Sequence, residues 1–185
     1  MIEKYALLKA MREVLTHPIK RFSIHDLARS TRLSVNACKY SLDFMLSKNI
    51  VGLEKIGRSY QYKANLDSYL TRQWKVIFSL EELNKAQIVE NIIKTKKTIL
   101  SITLYGSVAR GTDDELSDID IIVIADTDSN GKKLIIGEAI AAGREINPIV
   151  YTPMEWRKKA ESDKVFYENV VINSVNLYGE KPVVL

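Results

Sequence analysis

The stretch Ile99-Leu100-Ser101-Ile102-Thr103-Leu104-Tyr105-Gly106-Ser107-Val108-Ala109-Arg110-Gly111 is followed, after five residues, by Ser117-Asp118-Ile119-Asp120-Ile121-Ile122-Val123-Ile124-Ala125. Ile99 to Tyr105 reads as a buried strand and Ile121 to Ala125 as a second, with a Gly-Ser turn opening a helix between them. A strand that ends in Gly-Ser leaves backbone N–H groups pointing outward, and glycine lets an anion approach closely. Ser107 adds a hydroxyl donor. Asp118 and Asp120, two residues apart at a strand start, are expected to project from one face. Two adjacent carboxylates repel unless a cation lies between them, and hard oxygen ligands suit Mg²⁺. A phosphate cradle beside a divalent site is the layout of two-metal phosphoryl or nucleotidyl transfer. The alternative is a structural turn with two capping aspartates.

Gly106-Ser107-x-Ala109-Arg110-Gly111 with Ser117-Asp118-x-Asp120 resembles the nucleotidyltransferase fold of the DNA polymerase β superfamily, most closely its small minimal nucleotidyltransferases. The similarity runs from about Glu82 to Leu177. The resemblance implies that Gly106 and Ser107 bind the triphosphate of an NTP, with ATP the expected one, and that Asp118 and Asp120 hold two Mg²⁺ ions. The implied reaction moves a nucleoside monophosphate onto an acceptor hydroxyl and releases pyrophosphate. Small members of the family modify partner proteins encoded beside them, so a protein acceptor is implied too. Arg110 steers phosphate in this reading, or else pairs with Asp113 or Asp114 as an exposed helix residue.

The family usually has a third carboxylate on a later strand, and the chain departs there. The candidate strand is Glu145-Ile146-Asn147-Pro148-Ile149-Val150-Tyr151, with Glu145 and Asn147 on one face. Asn147 stands at the expected acid position, where an amide is neutral, binds Mg²⁺ weakly and cannot act as a base. Either Glu145 reaches in from two residues away as the third catalytic acid, or the site keeps nucleotide binding and loses most catalysis. Pro148 points to an edge strand.

The first third of the chain has a different character. Residues 1–65 carry 12 Lys and Arg against 5 Asp and Glu, a net +7, whereas residues 66–185 carry 15 against 18, a net −3. Ile2 to Thr16 reads as an amphipathic helix, Ser23 caps a second over Ile24 to Ser30, and Ser34 caps a third over Val35 to Lys48. Cys38, Leu42, Met45 and Leu46 share the inner face of the third helix, so Cys38 reads as a core thiol. Val51 to Ile56 and Ser59 to Lys63 form a hairpin through Gly57-Arg58. Three helices and a basic hairpin resemble a winged helix-turn-helix domain of transcription regulators. That resemblance implies that Arg32, Asn36, Lys39 and Tyr40 face DNA in the major groove, with Arg58 at the wing tip. The alternative is a winged helix that mediates dimerisation or packs on its neighbour. A homodimer would match the two-fold symmetry of most operators.

Leu66 to Lys97 holds no Pro or Gly and reads as a continuous helical connector, with Trp74 in its core. The expected organisation is therefore a winged helix over 1–65, a connector over 66–97 and a nucleotidyltransferase-like domain over 98–185. The fold class is α/β (α+β), helical with a small β-wing first and a mixed sheet second. The 185 residues are 46% hydrophobic and 27% charged, which excludes a disordered chain. One cysteine excludes an internal disulfide framework, and two histidines exclude a multi-His metal site. No apolar run approaches a membrane span, and the start lacks the pattern of a signal peptide, so a soluble cytoplasmic protein is expected. The rival to the enzyme is a DNA-binding regulator whose second domain senses a nucleotide or only mediates assembly.

Overall fold

The computed structural model describes residues 4–95, 97–139 and 146–184. Two compact units emerge, Met1–Phe78 with Gly111–Leu116, and Ser79–Arg110 with Ser117–Leu185.

In the first unit, α1 (Ala6–Thr16), α2 (Ile24–Thr31) and α3 (Val35–Ser47) precede an antiparallel hairpin of β1 (Val51–Ile56) and β2 (Ser59–Ala64). The capping chemistry sets the helix starts. Asp26 N–H donates to Ser23 Oγ at 3.1 Å and Ser23 N–H donates back to Asp26 Oδ2 at 3.1 Å, a reciprocal box that opens α2. Hydrogen bonding by Ser23 holds the Asp26 carboxyl below the usual carboxylate range. Ser34 Oγ accepts from Ala37 N–H at 3.2 Å to open α3. Ala10, Met11, Val14 and Leu15 of α1 pack against Leu27 of α2 and Cys38, Leu42 and Met45 of α3. Burial pushes the Cys38 thiol up, consistent with a core residue. Phe22 and Tyr62 exchange backbone hydrogen bonds of 2.8 Å in both directions, so the segment before α2 adds a short third rung to the hairpin.

The connector is not one helix. It divides into α4 (Tyr69–Lys85) and α5 (Ile88–Lys94), with Gln87 between them at φ 54°. A left-handed residue interrupts the helical hydrogen-bond ladder without any Pro or Gly to announce it. Leu70, Trp74 and Phe78 of α4 join the core of the first unit, whereas Leu83 and α5 residues Ile88 and Ile92 join the core of the second.

The second unit is built on a four-stranded mixed sheet in the order β5 (Ile146–Tyr151), β4 (Ile119–Asp126), β3 (Thr98–Tyr105), β6 (Val175–Gly179). β3 runs antiparallel to both β4 and β6, and β4 runs parallel to β5. The alternation of β4 explains the layering. Ile119, Ile121, Val123 and Ala125 point into a core shared with α5 and with Ile135 of α7 (Ser129–Ala139). Ile122 and Ile124 point to the other face, against Trp156 of α8 (Pro153–Ser162) and Val170 of α9 (Lys164–Asn173). The sheet is thus covered on both sides. β5 lies at an edge, as Pro148 suggests. The last helix stops at Asn173, and Val175 starts a strand. Among the described residues no helix is long and apolar enough to cross a membrane.

Candidate functional site

Asp120 stands in β4 directly between Tyr105 of β3 and Asn147 of β5, so the three residues form a row across adjacent strands. The row lies on the face that carries Ile122 and Ile124, because side chains two apart in a strand share a face. Asn147 Nδ2 donates to Asp120 Oδ1 at 3.4 Å. The other carboxylate oxygen is bounded by the turn that follows β3. Gly106, the first residue of α6 (Gly106–Arg110), has φ +77°, and a Cβ built on it would overlap Asp120 Oδ2. Glycine is required there twice over, for the backbone conformation and for the close approach of the carboxylate.

Burial raises the Asp120 pKa above the ordinary carboxylate value; the Asn147 hydrogen bond and Arg110 oppose this, and the charge of Asp118 adds to it. A raised carboxyl pKa means that the ionised form lacks compensation, which a cation between the two aspartates would supply. Tyr105 is pushed up to about 12 by burial, with the Asp120 charge and Tyr151 contributing after it. Its phenol is therefore a hydrogen-bond donor at neutral pH.

Asp118 is exposed and lies in the segment just before β4, so it is not a strand residue: β4 begins at Ile119. Ser107 is half-buried in α6, and Arg110 is exposed at the end of that helix. Glu145 lies outside the described residues. The donor set among the described residues holds two carboxylates and the amide of Asn147, with no group of three or more His, Cys, Asp or Glu side chains placed for a metal. It fits one hard divalent ion completed by phosphate oxygens; a third carboxylate for a second ion is not among these side chains.

In the first unit Asn36, Lys39 and Tyr40 are all exposed on α3, and Tyr40 is 75% exposed. Arg32 is the exposed left-handed residue that ends α2, with φ 56°, and Arg58 is exposed at the hairpin tip beside Gly57. Lys55 Nζ lies 6.0 Å above the Tyr60 ring on the same hairpin. Sequence reasoning did not single out Tyr105 as a site residue. The signal was its place as the last strand residue before Gly106, but its contact with Asp120 depends on the antiparallel register.

The family model described as "Polymerase beta, Nucleotidyltransferase" matches residues 87–182. No curated protein shows a significant match. Among solved structures, human N-acetylserotonin methyltransferase in complex with SAM is similar at 14% identity and a TM-score of 0.33. The alignment covers 51% of this chain and 31% of that one, and a likeness of that size carries no argument.

Proposed function

The chain belongs to the polymerase β nucleotidyltransferase family, and on that premise we propose that it transfers a nucleoside monophosphate from an NTP to an acceptor hydroxyl. The observation that carries this reading is the packing of the Asp120 carboxylate against Gly106, which brings the acid of one motif half to the Gly-Ser turn of the other. Gly106 and Ser107 would take the triphosphate. Asp118 and Asp120 would hold Mg²⁺, whose positive charge, when bound, neutralises phosphoryl oxygens and favours ionisation of the acceptor hydroxyl. The acceptor oxygen forms a bond to the α-phosphorus, and the bond to the β-phosphate oxygen breaks, so pyrophosphate leaves. Arg110 adds a cation beside the carboxylates and so favours phosphate on that side. Tyr105, protonated at neutral pH, can donate to Asp120 or to a bound oxygen. The acceptor's proton leaves to solvent water, since Asn147, an amide, cannot take it.

The second reading, nucleotide binding with weak or lost catalysis in a DNA-binding regulator, is favoured by one observation. The Asn147 amide, at the expected position of the third acid, donates to Asp120 rather than offering a further anionic ligand. The first unit, with three helices, a hairpin and an exposed face of Asn36, Lys39 and Tyr40, supports a winged helix that binds DNA.

Incubation with α-labelled NTP, Mg²⁺ and proteins encoded nearby tests the first reading. Label should move to an acceptor protein, and Asp118→Ala with Asp120→Ala should abolish the transfer. Absence of transfer with every NTP, alongside retained nucleotide binding, selects the second reading.

A further inference from the structure

The segment that follows β6 is fastened to the rest of the second unit at three points. Gly179 ends β6 with φ +67°, and a Cβ on it would overlap the Leu100 carbonyl, so the chain turns off the strand with its backbone directly on β3. Trp156 Nε1 of α8 then donates to the Pro182 carbonyl at 2.7 Å. Val184 N–H donates to the Tyr167 hydroxyl of α9 at 2.8 Å. Held in this way, residues 180–184 and α8 bound a cleft of about 470 Å³. Ser101 of β3 and Ile124 of β4, partners across the two strands, line it together with Trp156, and all three are buried. Leu100, which also lines it, is 45% exposed, and the register of β3 on β4 shifts at this residue, an irregularity that re-aims side chains. A largely apolar cleft of this volume takes one drug-sized molecule, with a few polar groups at its edge to orient it.

Charge supplies those groups. Arg157 of α8 and Lys181 of the following segment line the cleft against one acid, Glu180, which leaves one positive charge in excess, although residues 66–185 as a whole net −3. Neighbouring cations have partners: Lys159 pairs with Asp163 at 2.8 Å and Lys164 with Glu168 at 3.8 Å. Among the described residues neither Arg157 nor Lys181 forms such a pair, and both are exposed. An anion placed at them stays in water and is spared the cost of burial, while an apolar body gains by leaving water for the cleft.

We propose that this cleft binds one small molecule made of an apolar body and a single anionic group, the body against Ile124 and Trp156 and the anion at Arg157 and Lys181. None of Tyr105, Asp120 and Asn147 lines the cleft, so the site is separate from the proposed nucleotide site and does not depend on it.

The test titrates the full chain, without NTP or Mg²⁺, with two fluorescent probes: anilinonaphthalene sulfonate, which joins apolar rings to one sulfonate, and phenylnaphthylamine, which carries the rings without the charge. Saturable one-to-one binding of the sulfonate is expected, with hydrogen exchange slowed at residues 180–184. The double replacement Arg157→Glu with Lys181→Glu should weaken the sulfonate by about tenfold and leave the uncharged probe unchanged. Leu100→Ser should weaken both probes by about threefold. All three side chains are exposed, so melting temperatures should match wild type; where one does not, the exchange pattern of the wild-type chain with the sulfonate locates the probe by itself. Sulfonate affinity unchanged by the double charge reversal, slowed exchange confined to other residues, or no binding of the sulfonate would each overturn the inference. Slowing at residues 180–184 that grows with protein concentration in the absence of probe would assign the cleft to a second copy of the chain and overturn it as well.

Discussion

In the proposed reading Asp120 would carry more of the chemistry than any other side chain, and its carboxyl stands under electrostatic load. Its carboxyl is raised by burial and by Asp118, and the Asn147 hydrogen bond relieves that only in part. Neutralising it should therefore trade function for stability: Asp120→Asn is expected to raise the melting temperature of the metal-free protein at neutral pH by about a few degrees, while nucleotide-dependent Mn²⁺ binding is lost. A lower melting temperature would mean that the carboxylate is well compensated without a cation. Asn147→Asp runs the other way. It replaces an amide donor by a third oxygen ligand and a possible base, and label transfer should rise by about tenfold or more; an unchanged rate would remove position 147 from catalysis. Sequence alone identifies Gly106, Asp118 and Asp120 as a group because the spacing of the two motif halves is local. It does not identify Tyr105, because a register between strands leaves no periodic trace.

At the scale of elements, the chain declares its starts better than its ends. Ser23 and Ser34 sit where caps are expected, and α2 and α3 begin directly after them. Thr152 and Glu155 form the same reciprocal box at the start of α8, where Glu155 is held below the usual carboxylate range first by Lys132. The Asp26 box sets a pH dependence whose sign is fixed. Its folded pKa lies below the model-peptide value of 3.8, so its contribution is fully present above that pH and is lost as pH falls through the lower folded value. Ser23→Ala should cost about 1 kcal/mol near neutral pH, and the gap between variant and wild type in thermal melts should narrow below pH of about 4. A gap that stays constant with pH would leave Asp26 out of the cap. The elements that escape a sequence reading have physical reasons too. Gln87 breaks the connector in a left-handed conformation that carries no sequence marker. β6 follows α9 with only Ser174 between them, and its pairing with β3 is satisfied some 75 positions back in the chain.

For the molecule as a whole, the charge splits into +7 over residues 1–65 and −3 over the rest, and the proposed DNA-binding reading of the first unit turns on that split. On the reading in which the first unit binds DNA, its affinity should weaken steeply as salt rises, because neutralised phosphates release counterions. Lys39→Ala and Arg58→Ala should each reduce the slope of log affinity against log salt by about 1; slopes identical to wild type would indicate that the exposed α3 face and hairpin serve another purpose, such as pairing with a second copy. The two-unit arrangement is only partly readable in advance. Composition changes where the pattern of residues changes, but nothing in the spacing of residues 111–116 reveals that they fold with the first unit while their neighbours on both sides fold with the second. The most direct test of the central claim, that Asp118 and Asp120 beside the Gly-Ser turn hold a metal–nucleotide complex, is calorimetric titration of the full chain with ATP in the presence and absence of Mg²⁺. Mg²⁺-dependent binding to the wild-type chain, lost in Asp118→Ala with Asp120→Ala while the melting temperature is retained, is the predicted result. Equal binding by the variant, or binding indifferent to Mg²⁺, would contradict it.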